Sequence, residues 1–214
     1  MRNKKTDKVV ALILAGGKSR RMGGEDKSQK QIQKKNLLDI SFDRLLEQVE
    51  TIIVNTNNKE VINKEKNKIY VPDCMLGNLG PLAGVLTGLK WIKKNTPKIN
   101  WLLTVPVDSP FFPKDLIYKF IKNLEDEVII SAMSGSRIHP VFSMWNTSIT
   151  DSLEHCIKKK ILKIDEFKKN FKSKVVNFPI IDYDPFYNIN NLEDLLLARE
   201  IYSKFFNTRK DLLK

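Results

Sequence analysis

"LILAGGKSRRMGGEDKSQ", residues 12–29, passes from an apolar segment straight into a loop carrying four glycines and four basic side chains. The lead-in "VVALIL" (9–14) has the length and β-branched content of a buried strand. Gly16 and Gly17 let backbone N–H groups approach an anion with no Cβ in the way. Lys18, Arg20, Arg21 and Lys27 can neutralise a triphosphate and the pyrophosphate it sheds. Two commoner phosphate loops do not fit. A P-loop ending in Gly17-Lys18-Ser19 needs glycine at position 12, which is Leu12. The dinucleotide pattern G-x-G-x-x-G fails because Gly16 and Gly17 are adjacent and position 18 is lysine. What remains is a longer loop: two glycines at a strand end, a basic turn, Gly23-Gly24, then Asp26-Lys27.

Outward from this loop, short apolar runs alternate with helical patterns. "TIIVN" (51–55), "KIYVP" (68–72), "WLLTVP" (101–106) and "EVIISA" (127–132) read as further buried strands. "LLDISFDRLLEQVE" (37–50) places Leu38, Phe42, Leu45, Leu46 and Val49 on one helical stripe, and 81–95 and 113–126 behave alike, each with proline at or near its first turn. Beyond 137 come a strand over 139–145, lysine-rich helices over 147–172, a strand over 174–179 and a closing helix from about Leu192. This alternation predicts an α/β fold of three layers, α/β/α, around a mostly parallel sheet. Ligands then bind at the carboxyl ends of the strands. No repeat or linker divides the chain, so one domain over 1–214 is expected.

Net charge is +12, with residues 1–35 contributing +8 and Lys158–Lys174 contributing +6. Such a basic surface could attract nucleic acid, but no RNA- or DNA-binding motif or aromatic–basic interleaving accompanies it. No apolar run reaches the roughly 18–20 residues of a membrane span. The apolar part of the N-terminal region is too short for export and enters the loop directly. Two cysteines, Cys74 and Cys156, make no disulfide framework, and reduced thiols in the cytoplasm are expected.

The loop resembles the signature L-A-[GA]-G-x-[SG]-x-R-M-G-x-D-K of nucleotidyltransferases with a Rossmann-like nucleotide-diphospho-sugar transferase fold. Its Ala15-Gly16-Gly17 form resembles the molybdenum cofactor guanylyltransferases in particular. Glu25 is one extra residue if Gly23 is the motif glycine; aligning on Gly24 restores the spacing. Further elements follow in order: "VNTNN" (54–58), "VPDCMLGNLGPLAGVLTGL" (71–89), "VPVDSPF" (105–111), "RIHPVF" (137–142) and "YNINNLEDL" (187–195). Val107 stands where cysteine is common, and Asn191-Leu192 where Thr-Pro is usual.

The resemblance implies transfer of GMP from GTP to the terminal phosphate of molybdopterin, with Mg²⁺ as cofactor. It places the nucleotide against Leu14, Ala15, Gly16, Gly17 and Lys27, and against Asn55, Asp73, Gly80, Pro81 and Asp108. The GTP-binding part would span about 8–132 and the acceptor side about 133–205. Asp108, at a strand tip before a proline, suits a Mg²⁺ ligand, with Lys27 and Arg21 stabilising the departing pyrophosphate. Of Asn188 and Asn190 only one is expected to face the cleft, and Asn190 is favoured there, as a metal ligand. His139, before a proline, fits a structural role as well as a substrate contact. The same chemistry with CTP, on molybdopterin or a sugar or polyol phosphate, is the nearest rival, and Gly16-Gly17 favours guanine. Molybdopterin-loading and molybdoenzyme acceptor proteins are possible partners, with Lys158–Lys174 as a candidate recognition segment. A monomer or weak oligomer, free of nucleic acid and membrane, is expected.

Overall fold

The computed structural model describes residues 6–16, 30–64, 67–77 and 79–206. In chain order these form β1 (Thr6–Leu14), the short hairpin β2 (Gln31–Ile32) and β3 (Lys35–Asn36), α1 (Leu37–Leu46), β4 (Val49–Asn55), α2 (Lys59–Lys64), β5 (Ile69–Val71) and α3 (Pro81–Asn95). They continue as β6 (Trp101–Pro106), α4 (Leu116–Lys122), β7 (Ile129–Ser134), β8 (Arg137–Asn146), α5 (Thr150–Lys158), α6 (Ile164–Lys168), β9 (Ser173–Phe178) and α7 (Leu192–Phe205).

Seven strands build one sheet in the order β5-β4-β1-β6-β8-β7-β9. β1 pairs in parallel with both β4 and β6, and β9 is parallel to β7. β8 alone runs antiparallel, between β6 and β7. As an interior strand, β1 is buried on both faces over Val9–Ile13. Its alternate side chains sort the core into two. Val9, Ala11 and Ile13 pack with Leu37, Leu38 and Leu45 of α1, Leu116 and Phe120 of α4, and Leu195 and Ala198 of α7. Val10 and Leu12 pack with Leu82, Val85, Leu86 and Leu89 of α3, Leu153 and Ile157 of α5, and Phe167 of α6. The three expected layers are therefore present, with α1, α4 and α7 on one face and α3, α5 and α6 on the other.

Several boundaries differ from the periodicity reading. The helix expected over 37–50 stops at Leu46, and Val49 is buried as the first residue of β4 rather than on a helical stripe. Gln48 marks the change: its side chain bonds the Arg44 and Pro113 carbonyls and receives the Ile117 N–H. The helix expected over 113–126 contracts to Leu116–Lys122. The lysine-rich stretch breaks into α5 and α6 at a loop where Lys160 takes a positive φ of 61°. Four of its eight lysines are engaged within the fold: Lys158 with Glu154, Lys168 with Ser131, Lys172 with Asp126, and Lys174 with Glu125. Among the described residues no helix is long and apolar enough to cross a membrane.

Candidate active site

The parallel strands β1, β4, β5 and β6 end at one sheet edge, and β8, being antiparallel, begins there. A cleft of about 360 Å³ runs along that edge. Eight residues expected at the nucleotide line it: Leu14, Ala15, Gly16, Asn55, Asp73, Gly80, Pro81 and Asp108. Gly84, Pro106, Val107 and Ser109 lie among them, and Arg137 to Phe142, Phe186 and Asn188 complete the lining. The expectations for Gly17, Lys18, Arg20, Arg21 and Lys27 lie outside the described residues.

Backbone bonds lock the tip of β1 to both neighbours. Ala15 donates to the Asn55 carbonyl (2.9 Å), and Val107 donates to the Leu14 carbonyl (3.1 Å). A Cβ on Gly16 would meet Asn55 only at 3.9 Å, so the described packing leaves that position open for close approach of a ligand. Gly80 precedes α3 with φ 69°, a conformation that favours glycine, and Pro81 then supplies the preset φ of a first helical position. The N-terminus of this fifteen-residue helix thus opens at the cleft, where helix N–H groups favour an anion.

Asn55 is buried, and its amide nitrogen donates to the Val71 carbonyl (3.1 Å) and to Asp73 Oδ1 (2.9 Å). Asn57 donates to Asp73 Oδ2 (2.7 Å) and receives the Asp73 N–H (2.9 Å). Both carboxylate oxygens of Asp73 are therefore oriented by amides from the β4 terminus. Asn55 is expected against the nucleotide, but both its N–H groups already serve the protein and only Oδ1 remains. That oxygen faces Gly84, where an added Cβ would stand 2.6 Å from it and 2.3 Å from a Leu14 methyl. Asn57 and Gly84 are contributors that the sequence did not single out, although both lie inside recognised segments.

Asp108 is half-buried in the turn after β6. Its carbonyl accepts the Ile189 N–H (2.8 Å), which ties the segment before α7 to the strand tip. Arg44 fixes the downstream side of the turn. It is buried, donates to the carbonyls of Phe111 and Phe112, and stacks over the rings of Phe112 and Phe206. Burial pulls its guanidinium down to about 10, still far above neutrality, so it remains a cation.

The cleft-facing role expected of Asn190 falls to Asn188, and the segment is not a regular strand, in which the two residues would share a face. Asn188 lines the cleft, and its Oδ1 is buried without a hydrogen-bond partner among the described residues. Asn190 is exposed, and its backbone N–H donates to Asp194 Oδ2 (2.7 Å). The reversal follows from anchoring: Ile189 is buried and bonded to Asp108, while Asp194 draws the next two N–H groups toward α7. Asn191 caps α7 in a reciprocal box with Asp194, so the unusual Asn191-Leu192 pair retains a good capping residue. Tyr187 also donates to Asp194 (3.0 Å); burial and this hydrogen bond push its phenol up to about 12.

His139 stands in the opposite wall with its ring 4.7 Å from that of Phe186. Its Nε2 lies 2.8 Å from Ser134 Oγ, and that hydroxyl donates to Asp184 Oδ1 (2.8 Å). Burial holds His139 below the ordinary histidine range and nearby Arg137 adds to this, while Asp184 opposes it. No group of three or more His, Cys, Asp or Glu side chains among the described residues forms a metal cluster.

Comparison with known proteins agrees with this geometry. The MobA-like NTP transferase domain matches residues 11–169. A molybdenum cofactor guanylyltransferase of Bradyrhizobium sp. (strain ORS 278) is 35% identical over 204 residues, covering 94% of this chain and 96% of the relative. Another from Rhodopseudomonas palustris (strain BisB5) is 36% identical over 194 residues, covering 89% and 92%. The molybdopterin-guanine dinucleotide biosynthesis protein A of Archaeoglobus fulgidus superposes with a TM-score of 0.72 at 20% identity, over 91% of this chain and 99% of that one. A CMP:2-keto-3-deoxy-manno-octonic acid synthetase shares the fold with a TM-score of 0.72 at 10% identity, covering 92% and 99%. With relatives above 30% identity matched along nearly their whole length, the chain belongs to the molybdenum cofactor guanylyltransferases of the MobA-like NTP transferase family.

Proposed function

We propose that the protein transfers the guanylyl group of GTP to the terminal phosphate of molybdopterin, releasing pyrophosphate. The observation that carries this reading is the position of Asp108, at a strand tip in a cleft with a glycine-rich strand end and helix N-terminus on one side and an aromatic wall on the other. The relatives' names supply the guanine and molybdopterin specificity.

In this reading Gly16, Asp73 and the α3 N-terminus hold the nucleotide. Asn55 and Asn57 act on it through Asp73, whose carboxylate they orient. Lys27 and Arg21 neutralise the departing pyrophosphate. An oxygen of the acceptor phosphate forms a bond to the α-phosphorus as the bond between that phosphorus and the α,β-bridging oxygen breaks. No protein nucleophile is required, because placement and charge neutralisation carry the reaction.

The donors beside the cleft fit Mg²⁺. Asp108 offers a carboxylate, and the orphaned Oδ1 of Asn188 offers a second hard oxygen. Mg²⁺ accepts such a set together with phosphate oxygens and water. When bound it would supply Lewis-acid stabilisation of the phosphoryl charge. The metal-shell role therefore passes from Asn190 to Asn188. Unpaired Cys74 and Cys156 fit a cytoplasmic location.

The test is product mass and pyrophosphate release with GTP or CTP, with and without molybdopterin. Dinucleotide formation with GTP, reduced at least about 100-fold in kcat by Asp108→Ala, is expected. Activity with CTP alone would overturn the guanine assignment, and a fully active Asp108→Ala enzyme would overturn the mechanism.

A further inference from the structure

Nucleotidyl transfer centred on Asp108 leaves the polar chain in the opposite wall without a task. That chain is built across the β7–β8 hairpin. Ser134 pairs with Arg137 around a two-residue turn, and His139 follows two residues later on the same face. The ladder then jumps, with Ala132 opposite His139 but Ser131 opposite Ser143. The extra residues of β8 form a bulge at Pro140, which cannot donate to the ladder. Asp184 arrives from the segment after β9, and its Oδ1 also receives the Phe186 N–H (2.9 Å).

Proton accounting fixes the direction of this chain. Asp184 as a carboxylate only accepts, so the single hydroxyl hydrogen of Ser134 goes to it. Ser134 Oγ then has only lone pairs to offer Nε2, which must carry the imidazole hydrogen. Nδ1 has no hydrogen-bond partner among the described residues, yet it is not among the buried orphaned atoms, and His139 lines the cleft. Its lone pair is therefore open to a ligand. The surroundings are flat and apolar: Ile138, Pro140, Phe142 and Phe186 line the same wall. A phosphate monoester, whose second ionisation falls near pH 6, has no proton to give such an acceptor above neutrality. A heterocycle with ring or exocyclic N–H groups does.

We propose that Asp184 and Ser134 hold His139 as its Nε2–H tautomer, so that Nδ1 accepts a hydrogen bond from an N–H group of the acceptor's heterocycle. This rests on the transferase reading of the cleft. Ser134 and Asp184 are positioning residues that act through His139. Burial lowers the basicity of His139, which favours an unprotonated Nδ1; of the charged groups named beside it, Asp184 opposes this and Arg137 adds to it.

The tautomer is read in the free protein by ¹⁵N NMR of labelled histidine. The chain has only two histidines, so His155→Gln assigns the signals. A protonated Nε2 and a bare Nδ1 are expected at pH 7.5, with Ser134→Ala mixing the tautomers. In steady-state assays His139→Leu should raise KM for molybdopterin roughly tenfold, the weight of one hydrogen bond, and leave KM for GTP unchanged. His139→Asn, which returns an acceptor near the Nδ1 position, should recover most of the loss. An Nδ1–H tautomer, an imidazolium at pH 7.5, or a molybdopterin KM within twofold of wild type in His139→Leu would overturn the proposal. If the wild-type protein makes no dinucleotide from GTP and molybdopterin, the transferase reading falls and the acceptor contact with it. The NMR result still judges the tautomer.

Discussion

Gly84→Ala isolates the link between α3 and the nucleotide-side carboxylate. In an exposed helix this substitution would stabilise by about 0.8–1 kcal/mol. Here the added Cβ falls 2.3 Å from a Leu14 methyl and 2.6 Å from Asn55 Oδ1. The methyl ends a partly exposed side chain and can turn into the cleft. Asn55 cannot yield without breaking its bonds to the Val71 carbonyl and Asp73, each about 1 kcal/mol. Overpacking adds about 1–3 kcal/mol, so after the helical gain is subtracted the net loss expected in urea denaturation is about 2–4 kcal/mol. Asp73 also loses one of its two orienting amides, which should raise KM for GTP roughly tenfold, or about 1.4 kcal/mol. Gly88→Ala is the control. On the same helix its Cβ would meet methyls of Leu102 at 2.7 Å and Leu12 at 2.9 Å, with no polar group nearby. It should lose at most about 2 kcal/mol, from overpacking alone, while keeping the KM for GTP. A Gly84→Ala protein as stable as wild type, or one whose KM matches that of Gly88→Ala, would refute the reasoning.

Arg44→Met should lower stability by about 2–4 kcal/mol in urea melts, because the carbonyls of Phe111 and Phe112 lose their donor inside the core; an equally stable variant would dismiss the guanidinium as a clamp. Asp194→Ala removes the bonds to Tyr187 and to the Asn190 and Asn191 N–H groups, and should cost about 1–2 kcal/mol with a fall in kcat as Asn188 loosens. Tyr187 titrates near 10 when unfolded and about 12 when folded, so between these values only the folded chain keeps its proton. The associated stability is complete below pH 10 and lost as pH rises toward 12. Tyr187→Phe should flatten that part of the stability–pH curve, and an unchanged slope would count against the raised phenol.

The residues expected against the nucleotide could be singled out because each is marked locally, and the described ones line one cleft. Leu14 to Gly16, Asn55, Gly80-Pro81 and Asp108 all sit where a strand stops or a helix starts, and stop signals are written in adjacent residues. The helix boundary at Leu46 could not be, because Leu45, Leu46 and Val49 satisfy a helical stripe equally well. Only the tertiary bonds of Gln48 decide where the chain turns into β4. The short β2–β3 hairpin was missed for a related reason: Gln33 adopts a φ of 55° that no glycine announces. Asn188 and Asn190 show the limit most clearly. A regular strand would put both on one face, yet only Asn188 lines the cleft, because the Ile189–Asp108 bond, spanning about eighty residues, and the Asn190–Asp194 bond set the course of the chain.

The antiparallel β8 explains why the wall around His139 had to be assembled rather than read. Had β8 run parallel to β6, its first residues would stand at the far edge of the sheet. Reversal instead brings the hairpin tip, Arg137 and His139 to the edge where β1, β4 and β6 end. Gly135, with φ 55°, permits the tight turn that does this. β9, parallel to β7, also ends at that edge, so the segment after it can cross to Asp108 and supply Asp184, Phe186 and Asn188 on the way. Three stretches distant in sequence thus meet around His139 and Asn188. Each contributes one ordinary residue type with no local signature. Their chemistry exists only once Ser134 is fixed by the β7–β8 register and Asp184 by the return to α7. Changing that register should therefore disturb the wall around His139 while leaving Asn55, Asp73 and the α3 N-terminus in place.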